Sequence, residues 1–242
     1  MKLKFLLLMM SVIIFSSFSF AQNVSVTSKK ITYKRTQPIT DYKKSFTINY
    51  PKIKAATPAL SQKIEKAISY ESALGVNVEE EKTEIQWLES ADYTVDYNKN
   101  GVLCITLIVE GSGAYPSTNV KTVIVNTKTG TIIKPANEFT NLKSLAAKLK
   151  KMQTEEITAA KKEIRDNPEE SETNVDELFA NADFTVAKID EFAIDDQGAT
   201  FKYDYGFAHV IQALQPNGIY KMTWTQLKPY IKKGSVFEKF VK

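Results

Sequence analysis

Residues 101–109, GVLCITLIV, constrain the fold of this chain more than any other segment. An apolar run of strand length, bounded by turn signals, reads as a buried strand. Asn100-Gly101 precedes it, a pair that tolerates positive φ and favours a tight hairpin turn. Residues 93–97 supply the strand before that turn. A third strand is expected over 120–125, and the turn 126–130 leads to a fourth over 131–133. The pattern is a β-meander. Cys104, the single cysteine, lies inside the apolar run. It reads as a small buried hydrophobe, because no base or positive neighbour is evident to activate a thiol. One cysteine makes no internal disulfide, so the core must hold the fold.

Helical periodicity flanks the meander. Thr57 and Pro58 form a start signal, a capping residue with proline at the first helical position. Leu60, Ile64, Ala67, Ile68 and Leu74 fall on one face, and Gly75 stops the helix. Before it, residues 29–35 and 45–50 read as strands, the second with Phe46, Ile48 and Tyr50 alternating and ended by Pro51. The longest helix is expected over 141–165. Leu142, Leu145, Ala146, Leu149 and Met152 form its stripe, and its lysines read as a solvated face. Pro168 breaks it, an acidic loop over 169–177 follows, and a short helix lies around Leu178. Strands over 184–194, 200–205 and 219–224 and a short helix around Leu227 complete the chain.

Helices inserted between groups of antiparallel strands give an α+β class, antiparallel sheets with packed helices in two small subdomains. The expected division is a signal peptide over 1–21, an N-terminal α+β subdomain over 22–84 and a C-terminal α+β domain over 85–242. The signal is read from Lys2 and Lys4, the apolar run 5–14 with Phe15 behind it, and Ser19-Phe20-Ala21 at the cleavage point. A bilayer span takes about 20 apolar residues, and Ser16, Ser17 and Ser19 interrupt this run. Cleavage and export, periplasmic or secreted, are therefore expected, and no later segment is expected to span a membrane. Gln22, not cysteine, stands directly after the cleavage point, so no lipid anchor is expected. The formal charge is +4 before the two leader lysines are lost. That near balance argues against nucleic acid as a partner.

Catalytic and metal signals are sparse. His209 is the single histidine; it reads as a packed or rim residue, and no Gly-x-Ser-x-Gly elbow is present. One histidine and one cysteine far apart do not make a zinc site. Asp195, Asp196, Asp204 and the acidic loop offer oxygens for calcium, but read as a turn and a solvated loop. No cofactor, metal or catalytic residue is expected. The most distinctive local feature is the Gly-rich loop of Gly111, Ser112, Gly113, Ala114, Tyr115 and Pro116. It lacks the Lys-Ser/Thr of a phosphate loop and opens no helix. Its glycines fit a sharp turn or close approach to the backbone.

The chain resembles the exported domain pair of RsiV-type anti-sigma factors and PdaC-type peptidoglycan deacetylases. The resemblance rests on SFTINYPKI followed by QKIEKAI, on DYTVDYNKNGVLCITL, on GSGAYP followed by VNTKTGTIIKPANEF, and on FKYDYGFAHVIQALQPNGIYKMTWTQLKPYI, in that order. It covers most of the mature chain. Tyr115 stands where the family carries histidine before the loop proline, so a role resting on that imidazole is not expected. An anti-sigma role is not expected without a sigma-binding segment and membrane span, nor deacetylation without the separate catalytic domain. The resemblance implies a non-enzymatic binding module of the cell envelope, with a lysozyme-like protein or peptidoglycan fragments as partner. Its expected binding face is Gly111 to Pro116 with Tyr205, Tyr220 and Trp224. The alternative is an envelope glycan hydrolase working through paired carboxylates.

Overall fold

The computed structural model describes residues 23–40, 42–168 and 174–242. The expected signal peptide and residues 169–173 of the acidic loop lie outside the described residues. Two sheets and their helices make the α+β architecture expected from the sequence. The larger sheet has the order β1 (Ser25–Lys34), β2 (Ser45–Lys54), β3 (Leu88–Lys99), β4 (Val102–Ser112), β5 (Pro116–Asn126) and β6 (Thr131–Ile132). Its pairings are antiparallel except β2 with β3, which run parallel and meet only at Thr47↔Ser90 and Ile48↔Ala91. Parallel neighbours need a crossover, and three helices supply it: α1 (Pro58–Ala67), α2 (Tyr70–Leu74) and α3 (Val78–Thr83). The smaller sheet is β7 (Phe192–Ile194), β8 (Gly198–Lys202) and β9 (Ile219–Thr223), all antiparallel.

β4 explains why its sequence does not alternate. Leu103, Ile105, Leu107 and Val109 enter one core with Phe46, Ile48 and Ile64. Val102 and Cys104 point the other way, into a second core with Phe139, Phe201 and Phe237. A strand covered on both faces has no reason to place polar residues at every second position. Each fully buried Leu or Ile contributes roughly 1.5–3 kcal/mol relative to an exposed one. The first core joins residues on both sides of position 84, and the larger sheet runs across it. Asn100 and Gly101 adopt φ of 54° and 73°, the positive values their hairpin requires.

Several elements depart from the sequence expectation. Pro51 does not end β2, which continues to Lys54. The N–H of Ile53 donates to Glu65 Oε1 at 2.9 Å, away from β1. Residues two apart face the same edge, so the nitrogen of Pro51 also turns from β1 and no ladder bond is lost. The helix after Thr57 is two helices. Ser69 accepts the N–H of Ser72 and donates to the carbonyl of Lys66, closing α1 and capping α2. Residues 184–194 form a 3-10 helix over Val186–Asp190 and only three strand residues.

The long helix α5 (Leu142–Asp166) follows the short α4 (Pro135–Glu138) and packs on the smaller sheet, with Leu145, Ala146 and Leu149 in the second core. α6 (Val175–Leu178) closes on its end, and α7 (Trp224–Leu227) follows β9. Cys104 is fully buried, and burial pushes its thiol up to about 12. Native protein is therefore expected to resist a water-soluble maleimide at pH 7–8, with full labelling only after denaturation. Mass spectrometry reads the added label; rapid labelling of the folded chain would contradict this burial.

The buried carboxyl of Glu138 is expected to give the fold a pH dependence. Glu138 of α4 accepts the N–H of Phe237 at 2.9 Å, and burial raises its pKa above the ordinary carboxylate value. A raised native pKa means the folded state holds the proton more tightly. Stability is expected to fall as pH rises from the ordinary carboxylate value through the raised native one. Glu138→Gln keeps an oxygen for Phe237 and removes that slope. Urea midpoints measured across this range in both proteins check it.

Candidate functional site

The β4–β5 hairpin ends in the Gly-rich loop. Ser112 pairs with Pro116 in register, and Gly113 donates its N–H to the carbonyl of Tyr115 at 3.3 Å. Trp87, just before β3, braces the turn. Its carbonyl accepts the N–H of Ser112 at 3.0 Å, and its indole Nε1 donates to Ser117 Oγ at 3.2 Å. A Cβ on Gly111 would lie 2.4 Å from the Trp87 ring and 2.5 Å from its carbonyl oxygen. The close approach that Gly111 permits is thus made by the chain itself. Gly113 and Ala114 are exposed, and a Cβ on Gly113 would meet nothing nearer than 3.9 Å.

Tyr115 stands out from this tip with 63% of its surface exposed. Its ring stacks on His209, centroids 4.8 Å apart and planes 21° apart. His209 opens a 3-10 helix, His209–Leu214, and the next residue, Val210, is 87% exposed. The structure therefore joins two features that the sequence kept separate, the Gly-rich loop and the lone histidine. A stacked pair of flat rings beside an exposed valine forms an apolar knob with polar ring edges.

The other expected residues divide. Tyr205 and Tyr220 meet at Glu156 of α5: their hydroxyls donate to Glu156 Oε2 at 2.8 and 2.7 Å and lie 2.8 Å from each other. The N–H of Gly218 donates to Glu156 Oε1 at 3.0 Å. Burial raises the pKa of both phenols above the ordinary tyrosine value. This hub pins the loop between β8 and β9 to α5. Trp224 lies elsewhere. It is buried in the second core, stacked on Phe240 at 4.5 Å, with its indole N–H given to the carbonyl of Asp195. Its apolar surface is consumed by the core, so it presents no ring to a ligand.

Glu156 was not foreseen, although a signal existed. It continues the face of Leu149 and Met152 along α5, where an apolar residue would be expected. Beyond it, Ala159, Ala160 and Glu163 face residues 213–217 across a groove of about 520 Å³. Small alanines leave the space, and the charged residues of its lining, Glu156 and Glu163, are acidic.

The acidic segment after Gly75 is largely committed internally. Glu81 is buried against Arg35, and Glu79 pairs with Lys82 at 2.8 Å. Asp195 accepts the N–H groups of Gln197 and Gly198, Asp196 pairs with Lys99, and Asp204 accepts the N–H of Gly206. Among the described residues no cluster of three metal-ligating side chains occurs, and no helix is long and apolar enough to cross a membrane.

No protein-family model and no curated protein matches the chain. Its fold is shared with solved structures of the DUF3298 family, a domain of unknown function. A member from Bacteroides fragilis is 15% identical with a TM-score of 0.57, over 90% of this chain and 99% of that one. A DUF3298 family protein from Pseudomonas aeruginosa PAO1 is 11% identical with a TM-score of 0.54, over 88% of this chain and 96% of that one.

Proposed function

We propose that this chain is an exported, non-enzymatic binding module of the cell envelope whose contact face is the Tyr115–His209 knob. The observation that carries the reading is the 63% exposed Tyr115 ring stacked on His209 at a braced hairpin tip. Rings held in place lose little freedom on binding, so a partner gains contact area at low entropic cost. The resemblance that we read between its ordered motifs and RsiV-type and PdaC-type domains favours a lysozyme-like protein or a peptidoglycan fragment as that partner. A basic protein would find complementary charge in the α5 groove at the exposed Glu163. The basic, apolar and small-residue order of positions 1–21 supports export.

The test is calorimetric titration of the chain lacking residues 1–21 with a c-type lysozyme and with soluble peptidoglycan fragments. Saturable binding to one of them is expected, weakened at least tenfold by Tyr115→Ala and by Gly113→Trp. Flat titrations with both, or binding indifferent to both variants, would overturn the reading.

A further inference from the structure

We infer that the outer edge of β5 is a docking site for an extended peptide from a partner protein, which adds to the larger sheet as a further strand. β6 covers this edge only at Val125 and Asn126, and Ile133 donates its N–H to the carbonyl of Ile124 at 2.8 Å. A residue's N–H and C=O point to the same edge of a strand, and alternate residues share an edge. Ile124 faces outward, so Thr122, Val120 and Thr118 do too. Their backbone groups have no partner among the described residues.

Exposed edges are usually blunted by bulges, inward charges or covering segments. Here β4 and β5 pair without a register shift from Val102↔Asn126 to Ser112↔Pro116. Lys121, the charged residue of β5, is turned into an ion pair with Glu191. The uncovered stretch is about 20 Å long at roughly 3.3 Å per residue, room for a six-residue strand.

The inner end of this edge lies at the floor of a groove of about 220 Å³. Its lining takes in Ala67 and Ala73, which pack on the first core, Phe192 of the second core, Asp190 and Ile132. Unpaired amide and carbonyl groups at strand spacing are complementary to one ligand chemistry, another extended backbone. Ala67, Ala73, Ile132 and Phe192 offer apolar contact to an aliphatic side chain entering from that backbone, beside the charged Asp190 and Lys134. The recess selects the partner. A single peptide reaches the floor, whereas the same edge of a second copy carries its own walls and cannot come flush along its length. The site is separate from the Tyr115 ring, so it stands or falls independently of the proposed contact face.

The test begins with a displayed library of linear heptapeptides selected on the chain lacking residues 1–21. Selected peptides are then synthesised, and binding is read by fluorescence polarisation. Saturable binding is expected. N-methylation of alternate peptide residues should abolish it in one phase and spare it in the other, because only one set of N–H groups faces β5. Val120→Pro removes an outward N–H and no bond to β4, so it should weaken binding at least tenfold while Tyr115→Ala leaves it unchanged. Enrichment of no peptide, tolerance of methylation in both phases, or full binding by a folded Val120→Pro variant would each overturn the assignment. So would a concentration-dependent dimer that Val120→Pro dissolves, since a second copy would then cover the edge. Should Val120→Pro unfold the chain, the methylated peptides decide alone.

Discussion

Replacing Arg35 with alanine is expected to cost about 3–5 kcal/mol, the usual loss when one partner of a buried ion pair is removed. Arg35 and Glu81 are both buried, 4.0 Å apart. The guanidinium donates to the carbonyls of Glu81, Lys43 and Leu88, and lies over the Phe46 ring at 5.5 Å. Glu81 in turn accepts the N–H of Leu88 at 2.8 Å. One side chain thereby ties the end of β1 to α3 and to the start of β3. Alanine would strand a buried carboxylate and three carbonyls. At ~2–4 °C per kcal/mol for a chain of this size, the melting temperature should fall by about 6–20 °C. Arg35→Lys should recover little, because an ammonium cannot copy the planar fork. A double change, Arg35→Met with Glu81→Leu, should recover only the part owed to the stranded carboxylate, since the three carbonyls and the Leu88 N–H stay without these partners. A single-variant loss under 1 kcal/mol in urea melts would show that the pair is not the tie described.

Gly218→Ala is the second large effect, expected at about 3 kcal/mol from left-handed backbone strain and overpacking together. Gly218 has φ of +61°, and a Cβ there would lie 1.9 Å from the carbonyl oxygen of Tyr203. Its carbonyl accepts the N–H of Tyr203 at 2.8 Å while its own N–H is held by Glu156. Relief of the clash must pull this residue from β8 or from α5, and either movement opens the tyrosine hub. A spectroscopic readout separates this from general loss of stability. In the parent protein Tyr205 and Tyr220 should resist ionisation as pH is raised. In the variant, under conditions where it remains folded, two phenols should ionise near the ordinary tyrosine value. An unchanged ultraviolet titration would mean that the hub survives without Gly218.

Much of the fold was legible because it is written locally. The Asn100-Gly101 turn, the apolar strand after it, the Thr57 cap and the long α5 stripe are each set by residues within a few positions of one another. The misses share a cause. The Arg35–Glu81 pair was not anticipated, since nothing near either residue reveals a partner 46 residues away. Ser69 divides a helix whose apolar spacing looked continuous, because a capping hydroxyl competes locally with the helical backbone. Trp224 read as a ring for a ligand, and only the arrival of Phe237 and Phe240 from the chain end makes it core. The Gly-rich loop was visible as a loop. What gives it character, the His209 ring and the Trp87 brace, comes from other parts of the chain.

The strand that both cores share also bears on how the chain survives before it folds. Residues 102–109 carry no charge and no proline, and are rich in β-branched residues. An unfolded copy would expose a segment suited to self-association into intermolecular sheet. The protection is expected to be kinetic. β4 is flanked by hairpin partners on both sides, and hairpins close in about 1–10 μs, far sooner than two dilute chains meet. Slowing the Asn100-Gly101 turn would therefore raise aggregation during refolding by more than its effect on final stability implies.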